Sequence, residues 1–342
     1  MAYTTIKKST AHFNTKLYDG TGSSNAITGV GFQPDFTWLK KRSATGGHYL
    51  TDAVRGVTKT IYSDGTDAEG TVAQALTAFG ADGFTVGTDS GVNVNGGTLV
   101  SWNWKANGAG SSNSDGSITS TVSANTTAGF SIVKYSGDAN ANTTIGHGLG
   151  AVPKLIITKC LTTTHNWGVY HHSLGVDKYL RLNTTDSEQS SSGAWGSTPT
   201  SSVFGVGGLN ENDQASQDYI AYCFAEKVGY SKFGKFIGNG STDGPFIYTG
   251  FKPAFVIAKE SSSGGGHWRM RDNKRMTAGN PIDKLLRPDE TTAEQTEDNV
   301  DFLSNGFKMR TTGGQNNGSG DTYIYIAFAA EPLVGDNPAT AR

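Results

Sequence analysis

The sequence predicts an all-β protein built as three tandem antiparallel β-sandwich modules, jelly-roll-like, each carrying a short helical turn. Three observations support this. A set of anchors recurs three times in one order, the segment that closes each copy alternates its side chains with period two, and 46 of the 342 residues are glycine. That glycine content is about twice the roughly 7% of an average chain and marks many turns.

The first anchor is a proline that precedes a lysine by six residues: Pro34 and Lys40, Pro153 and Lys159, Pro253 and Lys259. Each proline opens a strand, where a missing N–H is tolerated. Upstream lies an aromatic followed by a glycine turn, at Tyr18 to Gly20, Tyr135 to Gly137 and Phe236 to Gly238. Downstream comes another aromatic, Tyr49, Trp167 or Trp268, and Gly46-Gly47, Gly96-Gly97, Gly207-Gly208 and Gly264 to Gly266 supply further turns.

Each copy closes on a strand of like pattern. Val100, Trp102 and Trp104 share one face, matched by Ile220, Tyr222 and Phe224 and by Ile324, Ile326 and Phe328, and this face is the expected core. The opposite faces, with Leu99, Ser101 and Asn103, Tyr219, Ala221 and Cys223, and Tyr323, Tyr325 and Ala327, suit partial exposure. Cys160 aligns with Lys41 and Glu260 at a strand end, so its pairing with Cys223 is not implied and two free thiols are expected.

The helical turns are expected where Thr66 and Glu69, Thr185 and Glu188, and Thr291 and Glu294 reproduce the Thr-x-x-Glu spacing of a capping box. After the first of them, residues 70–78 read as a short helix. The modules are placed at 1–106, 129–229 and 230–335, with a C-terminal tail at 336–342. Residues 107–128 are almost wholly Gly, Ser, Asn and Thr and predict a flexible linker or an extended arm. Modules two and three, joined by a short junction, are expected to pack together.

Composition narrows function. A net charge of −2 without a Lys/Arg block gives no nucleic-acid footprint and no anionic-membrane patch. No apolar run supports a secretory signal or membrane insertion, so a soluble protein made in a cytoplasm is expected.

Neither catalytic residues nor cofactor or metal ligands are expected. The acidic clusters could offer the carboxylate pair of a glycosidase, but capping accounts for their threefold repetition. Adjacent His171 and His172 on a strand point to opposite faces and cannot easily chelate one ion, and His165 and His147 add no ligand spacing. The Asx-rich loops at Asn93, Asn210 to Asp213, and Asn316-Asn317 could offer oxygens to calcium but read as turns.

Tyr49, Trp167 and Trp268 occupy the same place in every copy and read as packing. Trp195 lies in a Ser/Gly loop at 189–200 that differs between copies, and is the expected exposed contact with a receptor or another subunit.

Asp115 to Phe130, Ile145 to Gly150, Tyr230 to Gly234, Gly238 to Phe246 and Phe302 to Phe307 resemble a repeat family found in tailed phages of marine bacteria and cyanobacteria. The likeness covers nearly the whole chain; the first copy departs most, with Gly46-Gly47-His48-Tyr49 where the others have a tryptophan. The resemblance implies a non-enzymatic virion structural protein assembled in the host cytoplasm, a tail-fibre or adhesin component contacting the host surface. A capsid decoration or head-fibre protein and a carbohydrate-active depolymerase are the alternatives. Implied partners are other virion proteins, a host surface glycan or protein receptor, and the chain itself as a homotrimer.

Overall fold

The computed structural model describes residues 4–140, 142–262 and 264–332 and is nearly all antiparallel β. One four-strand arrangement recurs along the chain. Strand Phe13–Asp19 pairs with the closing strand Thr98–Trp104, which pairs with the Pro34 strand Phe36–Lys41, which pairs with His48–Asp52. Phe130–Ser136, Asp218–Ala225, Pro153–Cys160 and Gly168–His171 repeat that order, as do Ser231–Ile237, Thr322–Ala329, Pro253–Glu260 and Arg269–Asp272. Pro153 and Pro253 sit at bulges in the ladder, where their missing N–H costs no hydrogen bond.

Each of these inner sheets is covered by an outer sheet of its own. In copy one that layer is Asn25–Thr28, Gly83–Val86 and Leu76–Gly80, in copy two only Thr143–Gly146 with Val203–Val206, and in copy three four strands from Phe246–Tyr248 to Ile282–Leu285. Three separate apolar clusters fill these sandwiches, and the other faces of the inner sheets meet in one shared core.

The shared core is organised around a triangle of rings. Trp104, Phe224 and Phe328 are equivalent closing-strand residues, and their centroids lie 6.3, 5.9 and 6.0 Å apart in edge-to-face pairs. The three copies therefore stand around a pseudo-threefold axis. The void left on it is an apolar cavity of about 20 Å³, with no polar partner for a water molecule.

Because the inner sheets are sandwiched on both sides, their second faces are not partly exposed. Leu99, Tyr219, Ala221, Cys223, Tyr323 and Ala327 are all fully buried, as is Cys160, and both cysteines are free. The near-continuous apolar run of Tyr219 to Ala225 suits a strand with no wet side.

Three local expectations are corrected. No helix forms at the Thr-x-x-Glu segments, and residues 70–78 hold the strand Gly70–Thr71 and the start of Leu76–Gly80; the helical turns among the described residues are Ser9–Ala11, Ser90–Asn93 and Gly314–Asn317. Residues 107–128 are no flexible linker, since Ser111–Asn113 pairs with Ser120–Asn125, which extends the sheet of copy two along Phe130–Ser136. That leaves the extended-arm reading. The tail at 336–342 lies outside the described residues.

The Thr-x-x-Glu segments instead join neighbouring copies. Thr66 O accepts from Lys159 Nζ at 3.1 Å, Thr185 O from Lys259 Nζ at 3.2 Å, and Thr291 O from Lys40 Nζ at 2.9 Å. The same three carbonyls accept the backbone N–H of His165, Gly266 and Gly46, and the N–H groups of Glu69, Glu188 and Glu294 donate to the carbonyls of Leu161, Ser261 and Arg42. Copy one is thus clasped by copy two, two by three, and three by one, which closes the ring. A motif repeated for capping would serve its own copy; this one is repeated because there are three seams.

Aromatic N–H groups cross the same seams. Trp167 Nε1 donates to Tyr62 O at 2.9 Å and Trp268 Nε1 to Arg181 O at 2.9 Å. In copy one the ladder puts His48 opposite Lys40, so His48 and not Tyr49 holds the tryptophan position; it accepts the Trp38 indole hydrogen at 2.9 Å and faces the backbone of Arg287.

Candidate functional site

Because the lysine clasp repeats at every seam, a specific site must lie where the copies differ. On the outer rim of the seam between copies one and two, a polar cleft of about 430 Å³ opens between Thr66 of copy one and a set of copy-two residues. That volume falls in the range of small-ligand sites.

Its floor is strand Lys178–Arg181, which carries Tyr179 and Arg181 into the cleft. Arg181 Nε donates to Glu211 Oε1 at 2.9 Å, its guanidinium lies 5.7 Å from the centre of the Tyr179 ring, and Asp186 stands 3.8 Å away. Burial, with the Glu211 charge next, raises the Tyr179 pKa above the usual phenol range.

Each wall is held from behind. Arg181 O is anchored by the Trp268 indole at 2.9 Å, Glu211 O by Thr158 Oγ1 at 2.8 Å, and Asn210 O by Tyr219 Oη at 3.1 Å. On the opposite wall His165 N is fixed to Thr66 O at 3.0 Å, and Asn166 Oδ1 accepts from Asn183 Nδ2 at 2.8 Å.

The cleft exists because large and small residues are exchanged between copies. Copy one places Tyr49 where copy two has Gly168, and Gly91 where copy two has Glu211; a Cβ on Gly91 would fall 2.1 Å from the Tyr49 hydroxyl. A Cβ on Gly168 would lie 3.0 Å from Glu211 Cβ, so copies one and two each carry a side chain at only one of the two positions. Copy three fills the place with Arg269, bonded to Gln315 at 2.5 Å. Strand register aligns Tyr179 with Thr60 and Arg181 with Tyr62.

Trp195 is not an exposed contact. It is fully buried, packs edge-to-face on Tyr170 at 5.6 Å, and its backbone N–H is held by Val176 O at 3.0 Å. Copy two has only two outer strands, and the Ser/Gly loop folds inward so that Trp195 supplies the cover that a third strand gives elsewhere. Trp167 and Trp268 are buried, in keeping with packing, and Tyr49 is half-buried.

The Asx-rich loops act as braces. Asn93 Oδ1 accepts from Thr21 N at 2.8 Å, Asp213 Oδ1 from Asp138 N at 2.8 Å, and Asn317 Oδ1 from Asn239 N at 2.8 Å. Among the described residues, no group of three or more His, Cys, Asp or Glu is placed to hold a metal ion.

Sequence reasoning did not single out Tyr179 or Arg181, and it met Glu211 only within the loop Asn210 to Asp213 that it read as a turn. Comparing the copies at strand Lys178–Arg181 would have found the first two, but that needs the ladder register, since these short strands lack a shared anchor.

Residues 8–332 match the profile of DUF7483, a domain of unknown function. The chain belongs to this family. No curated protein and no solved structure is similar to it. Within this DUF7483 chain no helix of the described residues is long and apolar enough to cross a membrane.

Proposed function

We propose that this DUF7483 chain is a non-enzymatic structural protein of a tailed-phage virion, a tail-fibre or adhesin component that contacts the host surface. The observation that carries the adhesin reading is the copy-specific polar cleft at the seam of copies one and two, held by a scaffold whose lysine clasps repeat at every seam. Specific recognition needs to be built once, and binding groups hung on a rigid frame are the usual arrangement. The sequence resemblance supports the virion setting.

A depolymerase would need two carboxylates flanking the scissile bond, about 5–9.5 Å apart. Among the described lining residues Glu211 is the single carboxylate, and Arg181 holds it. That arrangement favours binding over hydrolysis. Partners on this reading are other virion proteins, a host glycan or protein receptor, and further copies of the chain in a homotrimer. The half-exposed Phe246 and exposed Tyr248 on an outer edge strand offer an apolar surface for protein contact.

Immunogold labelling of particles, combined with competition of host adsorption by the purified chain, tests the proposal. Label on the tail with competition supports it. Label on the head without competition overturns the adhesin reading in favour of capsid decoration, and shortened host polysaccharide after incubation overturns the non-enzymatic one.

A further inference from the structure

Resting on the adhesin reading, the cleft chemistry carries one step more: we infer that the seam between copies one and two binds an uncharged saccharide unit through its hydroxyl groups.

The argument starts from charge. The Arg181 guanidinium gives its Nε–H to Glu211 at 2.9 Å and has Asp186 3.8 Å away, so its positive charge is already matched by carboxylates of the chain. A uronic acid or a sulfated sugar would bring its charge against Glu211 in the cleft, with Asp186 beside the same guanidinium. A neutral polyol meets no such opposition.

The remaining groups match hydroxyls. Glu211 Oε1 is engaged by Arg181, which leaves Oε2 as an acceptor on a fixed side chain. The side chains of Asn210, Thr164, His165 and Thr66 make no hydrogen bond within the described chain, and all line the same concavity. Hydroxyls and amides both donate and accept, as the paired hydroxyls of a sugar ring do. Tyr179, buried with Arg181 over its ring, closes the floor beneath these groups.

Preorganisation is the third part. The backbones of Arg181, Asn210 and Glu211 are held from outside the cleft and that of His165 by Thr66 within it, so little ordering is left for the moment of binding. The pattern is also confined to this seam. The equivalent of Glu211 in copy one is Gly91, which has no side chain to recognise a hydroxyl, and in copy three it is Gln315, bound to Arg269.

The test is saturation-transfer NMR and calorimetry on the full chain. Neutral probes are glucose, galactose, mannose, maltose and cellobiose; charged probes are glucuronic acid, galacturonic acid and galactose sulfate. A neutral probe should bind and the charged ones should bind at least tenfold more weakly. Glu211→Gln and the exposed Asn210→Ala should each weaken binding about tenfold, and Asn210→Ala should leave Tm within a degree. Preference for a charged probe, or no binding of any probe to folded protein, overturns the inference. Adsorption competition run alongside separates the two readings. Competition without saccharide binding sinks only the saccharide site, whereas saccharide binding without competition upholds the site and sinks the adhesin reading.

Discussion

Tyr222 of copy two donates its phenolic hydrogen to Asp52 Oδ2 of copy one at 2.8 Å, in the buried core between them. The relationship has a twin: Trp102 Nε1 of copy one donates to Asp272 Oδ2 of copy three at 3.0 Å. Each aspartate is also paired with an arginine three residues on, Arg55 at 2.5 Å and Arg275 at 2.6 Å. At the seam between copies two and three all three partners change together, to His171, Leu174 and Ile326. A buried carboxylate without its donors would be costly, so the set is kept or lost as a unit.

Tyr222→Phe should therefore cost about 1.5–3 kcal/mol in urea denaturation, the worth of one hydrogen bond to a charged group whose other partner remains. Asp52→Ala should cost about 3–5 kcal/mol, because Arg55 is left buried without its aspartate. Equal losses from the two would show that the seam does not depend on the charge pair in this way.

Lys40, Lys159 and Lys259 are fully buried, and burial brings each pKa down to about 8 from the usual 10.5. Between those values the unfolded chain binds more protons than the folded one, so stability rises with pH through that window. Below about pH 8 the cost of a buried charge is fully present. Tm should increase from pH 7.5 to 9.5 at constant ionic strength, and Lys159→Met should remove about a third of that increase. A Tm that is flat or falling in this window for the wild type would contradict the origin of the effect.

Trp195→Ala should cost about 3–5 kcal/mol, the usual loss when a large aromatic is removed from a core. Its indole N–H is buried with no partner among the described residues, so Trp195→Phe should cost less than about 1.5 kcal/mol. Chemical denaturation of both variants checks the pair. An unchanged Trp195→Ala would place the side chain at the surface.

The strands, their antiparallel pairing and the core face of Trp102 and Trp104 could be read directly from period-two patterning. What could not be read was where each sheet's second face goes. Alternation shows that a face is apolar but not what covers it, and Tyr219 to Ala225 carried a hint in having almost no polar residue. The three lysines were visible as repeated charges within strands, yet their partners lie 93, 74 and 251 residues away. The Thr-x-x-Glu spacing has the same form whether the carbonyl ends up capping a helix or accepting from another copy. Trp195 misled for a related reason: a loop unique to one copy is expected to be surface, but here it replaces a missing strand.

The closed ring predicts how the chain comes apart. Three autonomous sandwiches on tethers would melt separately, and removal of one would leave the others intact. Here Trp104, Phe224 and Phe328 each pack on the other two, and every copy both gives and receives a lysine clasp, so the shared core cannot form from two copies. Full-length protein should unfold in a single calorimetric transition with calorimetric and van't Hoff enthalpies in agreement. A chain ending at residue 229 lacks copy three and would expose Phe13, Trp104 and Phe224 along one open side. That chain should bind a hydrophobic dye strongly, lose its cooperative transition and aggregate. A well-behaved two-copy fragment with a sharp transition of its own would show that each sandwich carries enough core by itself, and that the ring is packing between finished domains.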